Sequence, residues 1–322
     1  MARKRFPNYV QFMLVAGLLS GVGAREASAQ SALGGYEVGD FNGDGFSDIG
    51  DYWQASGHFW IRLNSGFGYF ELPGTASGGQ GDTVTPTAGW ETLVGDFDGD
   101  GWSDYADRYV ANGDIYIHRN LHNGTWQPSG SQWGSGTTLA GANIETLVGD
   151  INGDGRADLI QHDRATGTIW KLWNNGPGGG AFYAPWATAN SWTSQTTNWR
   201  MLVADFNGDG FVDIMEQYVP NGDFWIHANQ HNDQWVSAAT YMGAQQVPPG
   251  STWDIIVGDF TGDGLADYAI VKKSGNYFGA PNGFFEVHQN TGTGGFLSSA
   301  YGCCGYYSST PGFSVFGQKV AF

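Results

Sequence analysis

Residues 94–104 read VGDFDGDGWSD, and the same eleven-residue pattern returns as VGDFNGDGFSD from Val38, VGDINGDGRAD from Val148, VADFNGDGFVD from Val203 and VGDFTGDGLAD from Val257. The first aspartates of these loops are Asp40, Asp96, Asp150, Asp205 and Asp259, with steps of 56, 54, 55 and 54 residues. A fixed period of this size marks a repeat architecture in which each unit is one supersecondary element. Units starting near residues 36, 91, 145, 200 and 254 fill nearly all of the segment 30–322. A unit of about 55 residues accommodates roughly four short strands and their turns.

Each loop carries side-chain oxygens at positions 1, 3, 5 and 9 and a backbone carbonyl at position 7. The candidate ligands are Asp40, Asn42, Asp44, Phe46 and Asp48 in the first loop, and Asp96, Asp98, Asp100, Trp102 and Asp104 in the second. The third offers Asp150, Asn152, Asp154, Arg156 and Asp158. The fourth offers Asp205, Asn207, Asp209, Phe211 and Asp213, and the fifth Asp259, Thr261, Asp263, Leu265 and Asp267. Calcium takes six to eight oxygens in a flexible shell, and the glycine at position 6 permits the sharp turn. Up to five calcium ions are expected, one per loop; magnesium prefers to keep its waters. The first half of the loop resembles that of an EF-hand, but strand-like apolar residues flank it where an EF-hand has helices. Asp, Asn and Gly are also ordinary turn residues. That explanation suffices for one copy and fails for five in register.

The charge fits the same reading. The chain has 31 Asp+Glu against 14 Lys+Arg, a formal net charge of -17, and sixteen of the acids are loop aspartates. Left unpaired they repel one another and are costly to desolvate. The acidic excess also opposes binding to a phosphate backbone, so no nucleic-acid partner is expected. Aromatic residues at 15% argue against disorder, and the 52 glycines follow no triplet period, which excludes collagen.

Arg3, Lys4 and Arg5 precede an apolar run from Phe12 to Ala24 and a small-residue site at Ala27-Ser28-Ala29. This is the layout of a signal peptide over residues 1–29, and it predicts export to the extracellular space, periplasm or cell surface. The run is shorter than the roughly 20 residues of a membrane span. Cleavage after Ala29 takes the formal charge to -20, which five divalent ions bring to about -10. Cys303 and Cys304 are adjacent; a bridge between them would be strained, and an intermolecular bridge or two free thiols are the other readings.

In the second unit, strands are predicted over Glu91–Asp96, Ser103–Val110 and Asp114–Asn120, with a type I′ turn at Asn112-Gly113. Ser56-Gly57, Thr166-Gly167 and Asn221-Gly222 repeat the turn, and a fourth strand is expected to begin around Trp126 or Trp235. Four antiparallel strands repeated radially describe a propeller blade, so the predicted fold is an all-β propeller of five blades. The VGDFNGDGxxD core resembles the FG-GAP/VCBS calcium-loop repeats of integrin-like propellers and secreted bacterial proteins. The resemblance covers all five units and implies a calcium-loaded β-propeller. Phe278-Gly279-Ala280-Pro281 echoes the family's name motif, and Gly312–Phe322 looks like a sixth first strand that closes the ring.

Placing each hairpin by its glycine makes Asp107 face His118, Glu216 face His227 and Asp51 face Arg62. Tyr109–Tyr116, Tyr218–Trp225 and Trp53–Trp60 then stand on the same faces. Such pairs stabilise a hairpin by up to about 1 kcal/mol each, and this structural role is the leading reading. The functional alternative is a repeated glycan pocket, with a flat ring for sugar faces and polar groups for hydroxyls. Unit three breaks the pattern at Gln161 and Leu172, and unit five at Ile270. No unique acid–base–nucleophile set stands out, so catalysis is not expected. The expected function is a multivalent, lectin-like recognition module for an extracellular glycan or glycoprotein. A polysaccharide lyase or hydrolase, built on paired carboxylates, is the enzymatic alternative, and protein adhesion in the integrin manner is the other binding one.

Overall fold

The computed structural model describes residues 36–53, 58–66, 70, 89–134, 138–141, 143–176, 182, 186–188, 198–232, 234–243, 253–272 and 285–297. Residues 1–29, Ser56-Gly57, Phe278–Pro281, Cys303-Cys304 and Gly312–Phe322 lie outside them. The described residues are all-β, and among them no helix is long and apolar enough to cross a membrane.

The five units form five antiparallel sheets in chain order. The first holds β1 (Tyr36–Gly39), β2 (Asp48–Trp53) and β3 (His58–Arg62). The second holds β4 (Trp90–Gly95), β5 (Asp104–Tyr109), β6 (Asp114–His118) and β7 (Ser131–Gly134). The third holds β8 (Ile144–Gly149), β9 (Asp158–Asp163), β10 (Thr168–Leu172) and β11 (Trp186–Thr188). The fourth holds β12 (Trp199–Ala204), β13 (Asp213–Tyr218), β14 (Asp223–His227) and β15 (Thr240–Gly243). The fifth holds β16 (Trp253–Gly258), β17 (Asp267–Lys272) and β18 (Phe285–His288). The fourth strands begin later than expected: Trp126 and Trp235 make single bridges to Asn120 and Asn229, and β7 and β15 follow.

Burial explains the strand sequences. β5, β9 and β13 are buried almost throughout because both of their faces are covered, whereas β6 alternates, with Ile115 and Ile117 inside. Each pair of consecutive sheets shares an apolar cluster. Leu93, Phe97, Ile115 and Trp133 of the second sheet meet Val148, Leu159, Leu172 and Phe182 of the third. The fifth and first sheets share one too, with Ile256, Phe260 and Val287 against Val38, Ile49 and Phe70. Burying a Leu, Ile or Phe side chain contributes about 1.5–3 kcal/mol, so these seams hold the sheets together. The first strands run side by side: β1 touches β4, β4 touches β8, β8 touches β12, β12 touches β16, and β16 touches β1.

The loops interlock as well. The backbone oxygen of Asp40, Asp96, Asp150 and Asp205 accepts the N–H of Ser103, Ala157, Val212 and Ala266 of the next unit, and Asp259 accepts that of Ser47 in the first. Gly262 lies at φ +72°, and a Cβ there would stand 2.4 Å from Phe46 Cε1. Gly262→Ala is therefore expected to lower stability by about 1–3 kcal/mol, read as an earlier urea midpoint.

The hairpins depart from the predicted register. Gly113 N donates to Tyr109 O at 2.8 Å and Tyr109 pairs with Asp114, which makes a four-residue connection. A type I′ turn needs positive φ at both central residues. Gly113 has it (φ +76°), but Asn112 does not. Gly167 and Gly222 close the same connection. Cross-strand partners thereby shift by two residues while each side chain keeps its face.

Candidate metal centres and ligand platforms

In every loop the first aspartate folds the chain around itself. Asp40 accepts Gly43 N at 2.6 Å and Gly45 N at 2.8 Å, and Asp96, Asp150, Asp205 and Asp259 make the equivalent pair of bonds. The ninth-position aspartates are fully buried, and each accepts two backbone N–H groups. Asp158 takes Ile151 N at 3.1 Å and Asn174 N at 2.7 Å, for example. Burial opposes ionisation of these carboxyls more than the amides favour it. It pushes Asp40, Asp96 and Asp259 up to about 6, Asp213 and Asp267 to about 7, and Asp48 to about 8. Asp104 and Asp158 are raised well above the ordinary carboxylate range for the same reason. A bound cation would relieve this by favouring the charged form.

The second loop shows where a cation fits. Ligand atoms of Asp96, Asp98 and Asp104 lie within 4.8 Å of one another, and Asp98 Oδ1 is buried without a hydrogen bond. Each offers a carboxylate oxygen, a donor set that suits a hard divalent ion. In the first, third and fourth loops the position-3 oxygens of Asn42, Asn152 and Asn207 accept the N–H of Asp44, Asp154 and Asp209. The side chains at position 7 have a packing role: Trp102 stacks on His122 with centroids 4.5 Å apart, and Phe211 on His231 at 4.1 Å.

Two sets of residues at these loops were missed in the sequence. The exposed position-5 carboxylates have outside donors: His122 Nε2 reaches Asp100 at 2.7 Å, His231 Nε2 reaches Asp209 at 2.8 Å, and Gln289 Nε2 reaches Asp263 at 2.9 Å. The repeated strings Asn120-Leu121-His122 and Asn229-Gln230-His231 were the signal. The second set is Asn64, Asn120, Asn174, Asn229 and Asn290, all buried, whose N–H groups cap Asp48, Asp104, Asp158, Asp213 and Asp267. A constant offset of 16 residues in the first four units marks them.

Of the ligand candidates, the second and fourth sheets assemble theirs, with corrected partners. Asp107 pairs with Tyr116, not His118, and Glu216 with Trp225, not His227. The acid and imidazole meet diagonally instead: His118 Nε2 to Asp107 Oδ2 is 3.6 Å, and His227 Nε2 to Glu216 Oε2 is 3.3 Å. In the second sheet Trp90 packs on Tyr109 (5.0 Å between centroids) and Tyr116 (5.9 Å). In the fourth, Trp199 packs on Tyr218 and Trp225, which reaches Tyr241 at 5.4 Å. Tyr241 is 48% exposed. Trp90, Trp199 and Tyr241 were not among the predicted residues. In the first sheet Asp51 pairs with Trp60, Trp53 with His58, and Arg62 with Ile49, so the expected Asp51–Arg62 and Trp53–Trp60 pairings are also displaced by two.

The histidines have a further tie. His118 Nδ1 meets Gln127 O at 3.0 Å and His227 Nδ1 meets Val236 O at 2.8 Å. His288 Nδ1 meets Leu297 O in the same way in the fifth sheet, where Ile270 stands in the acid's place. The imidazole is thus a latch onto the following segment in all three sheets, and in the fifth its Nε2 faces Glu286 Oε1 at 3.6 Å instead of an acid at position 270.

Comparison with solved structures gives partial likenesses. A lectin of Agrocybe aegerita, described as recognising non-reducing terminal N-acetylglucosamine, is 17% identical with a TM-score of 0.48, covering 84% of this chain and 79% of that one. The Photorhabdus luminescens Tc holotoxin pore is 17% identical with a TM-score of 0.44, over 77% of this chain but only 14% of that one. No curated protein matches the chain by sequence. Residues 96–161, from the first aspartate of the second loop into β9, match the family described as the FG-GAP-like repeat, and over this stretch the chain carries that repeat.

Proposed function

We propose that this is an exported, calcium-loaded, five-bladed propeller that recognises an extracellular glycan without transforming it. Closure of the ring is supported by the contact of β16 with β1 and by the Ser47 N to Asp259 O bond. Calcium is supported by the all-oxygen loops, by the gathering of Asp96, Asp98 and Asp104, and by the unpartnered Asp98 Oδ1. The ion supplies the positive charge that the buried aspartates need. The chain's own residues build the cradle: position 1 wraps the loop and position 9 anchors it to the sheet. Export rests on the segment 1–29.

The observation that carries recognition is the aromatic platform built twice. Trp90, Tyr109 and Tyr116 form one, and Trp199, Tyr218, Trp225 and Tyr241 the other, with every ring half-buried or exposed. Such rings offer large rigid apolar faces with polar edges, suited to the C–H faces of a sugar. Asp107 and Glu216 lie buried on the same faces, where they meet His118 and His227, so the polar edges offered to a ligand are those of the rings themselves. Two platforms on one rigid ring give avidity for a branched or clustered glycan.

On a glycan array, the chain from residue 30 is expected to bind a defined set in calcium and to lose it in chelator. Trp225→Ala is expected to weaken binding about tenfold or more, the loss of one good aromatic anchor. A folded, calcium-loaded protein that binds no glycan would overturn the recognition reading.

A further inference from the structure

The buried asparagines do more than cap their own loops. Each Nδ2 donates twice: once to its own unit and once to the unit before. Asn120 Nδ2 reaches Ser103 O at 3.1 Å and Phe41 O at 3.0 Å, and Asn174 Nδ2 reaches Ala157 O at 2.9 Å and Phe97 O at 2.8 Å. Asn229 bonds Val212 O and Ile151 O, and Asn290 bonds Ala266 O and Phe206 O. Asn64 does the same with Ser47 O and Phe260 O, which carries the pattern from the first unit back to the fifth.

The residue that accepts from the next unit's asparagine is also held by its own ninth-position aspartate. Phe41 N donates to Asp48, Phe97 N to Asp104, Ile151 N to Asp158 and Phe206 N to Asp213. In the fifth unit Thr261 N donates to Asp267, so that aspartate and Asn64 hold the two ends of one peptide group, between Phe260 and Thr261. A belt results, from Asp48 through Phe41 to Asn120 and Asp104, then through Phe97 to Asn174 and Asp158, and on through Asn229 and Asn290 back to Asn64. Each asparagine side-chain oxygen takes a third bond, from the N–H two residues on. A buried amide with this many partners has little freedom to shift alone, and satisfied polar networks of this kind rigidify together.

We propose that Asn64, Asn120, Asn174, Asn229 and Asn290 are positioning residues that couple the five cation loops, so that filling one loop raises the affinity of its neighbours. This inference rests on the calcium reading. A cation that fixes Asp104 also fixes Phe97 and Asn120, and Phe97 O in turn holds Asn174, which presents its N–H to Asp158. The next loop then has less conformational freedom left to lose, and ligands that share an ordering cost bind with positive cooperativity.

The test is a calcium titration of the chelator-stripped full chain, read by calorimetry and by amide hydrogen exchange at Phe97 and Ile151. The expected result is a Hill coefficient of about 2 or more. Asp209→Ala removes an exposed ligand that is off the belt, and it is expected to weaken the remaining loops roughly fivefold or more. Asn174→Ser breaks one link of the belt and is expected to move the Hill coefficient toward 1 while calcium still binds. If Asn174→Ser fails to fold, the Asp209→Ala comparison decides alone. Binding with a Hill coefficient of 1, with the other loops unchanged by Asp209→Ala, overturns the coupling and leaves the calcium reading standing. No uptake of calcium at all overturns both.

Discussion

Removing calcium is expected to lower the thermal midpoint of the chain by about 20 °C or more. A site that binds only the folded state adds about 2.7 kcal/mol at 100 times its dissociation constant, and five such sites give more than 10 kcal/mol. In a chain of 322 residues about 1 kcal/mol moves the midpoint by roughly 1.5 °C. The chelated state should also depend on pH with a defined sign. Asp48 rises to about 8 and Asp213 and Asp267 to about 7, against an unfolded value of 3.8. Between those limits the folded chain holds protons that the unfolded chain has released, so stability falls as pH rises. The stabilisation from these groups is therefore complete at about pH 4 and below in chelator, and it is lost progressively toward pH 8. Calcium should reverse the trend, because it binds the deprotonated carboxylates. Thermal scans from pH 4.5 to 8, with calcium and with chelator, test both points. A midpoint indifferent to chelator at pH 7.5 would show that the loops are turns and nothing more.

Why the loops were legible and their connections were not follows from where each interaction lies in the chain. The loop is local: Asp40 meets Gly43 and Gly45 within five residues, and an aspartate that does so five times leaves a readable pattern. The faces of the hairpins were legible for the same reason, since alternation survives a shift of two residues. The partners were not, because Asn-Gly closes a two-residue or a longer connection equally well, and only φ at Asn112 decides between them. The belt was beyond reach. Asn120 meets Phe41 across 79 residues and Asn64 meets Phe260 across 196, and nothing near either asparagine announces a partner in another unit. Trp90 and Trp199 were overlooked because each opens a first strand, where an aromatic residue reads as core, yet both lie half-buried against the platform rings.

The second large effect separates the two jobs of a loop aspartate. Asp158→Ala is expected to destabilise the chain by about 2–6 kcal/mol even in chelator, since two buried backbone donors lose their only acceptor at about 1–3 kcal/mol each. Those donors are Ile151 N and Asn174 N, and Asp158 is fully buried. In a folded state worth only about 5–15 kcal/mol, a loss of that size leaves a large unfolded fraction at modest urea. Asp154→Ala should behave in the opposite way. Its carboxylate is exposed, its charge adds to the burial that raises Asp150, and its partners, Asn152 Nδ2, Arg156 N and the Arg156 guanidinium, all lie on the same loop. In chelator its removal relieves repulsion and is expected to leave stability unchanged or slightly higher. In calcium it is expected to cost about 2.7 kcal/mol, the contribution of one site. Urea titrations of the two variants and the parent, each in chelator and in calcium, give six midpoints. The pattern to expect is Asp158→Ala low in both media and Asp154→Ala low only with calcium. If Asp158→Ala unfolds with the parent in chelator, position 9 is a ligand without an anchoring role. If Asp154→Ala is low in both media, its loop depends on the carboxylate itself and not on an ion that the carboxylate holds.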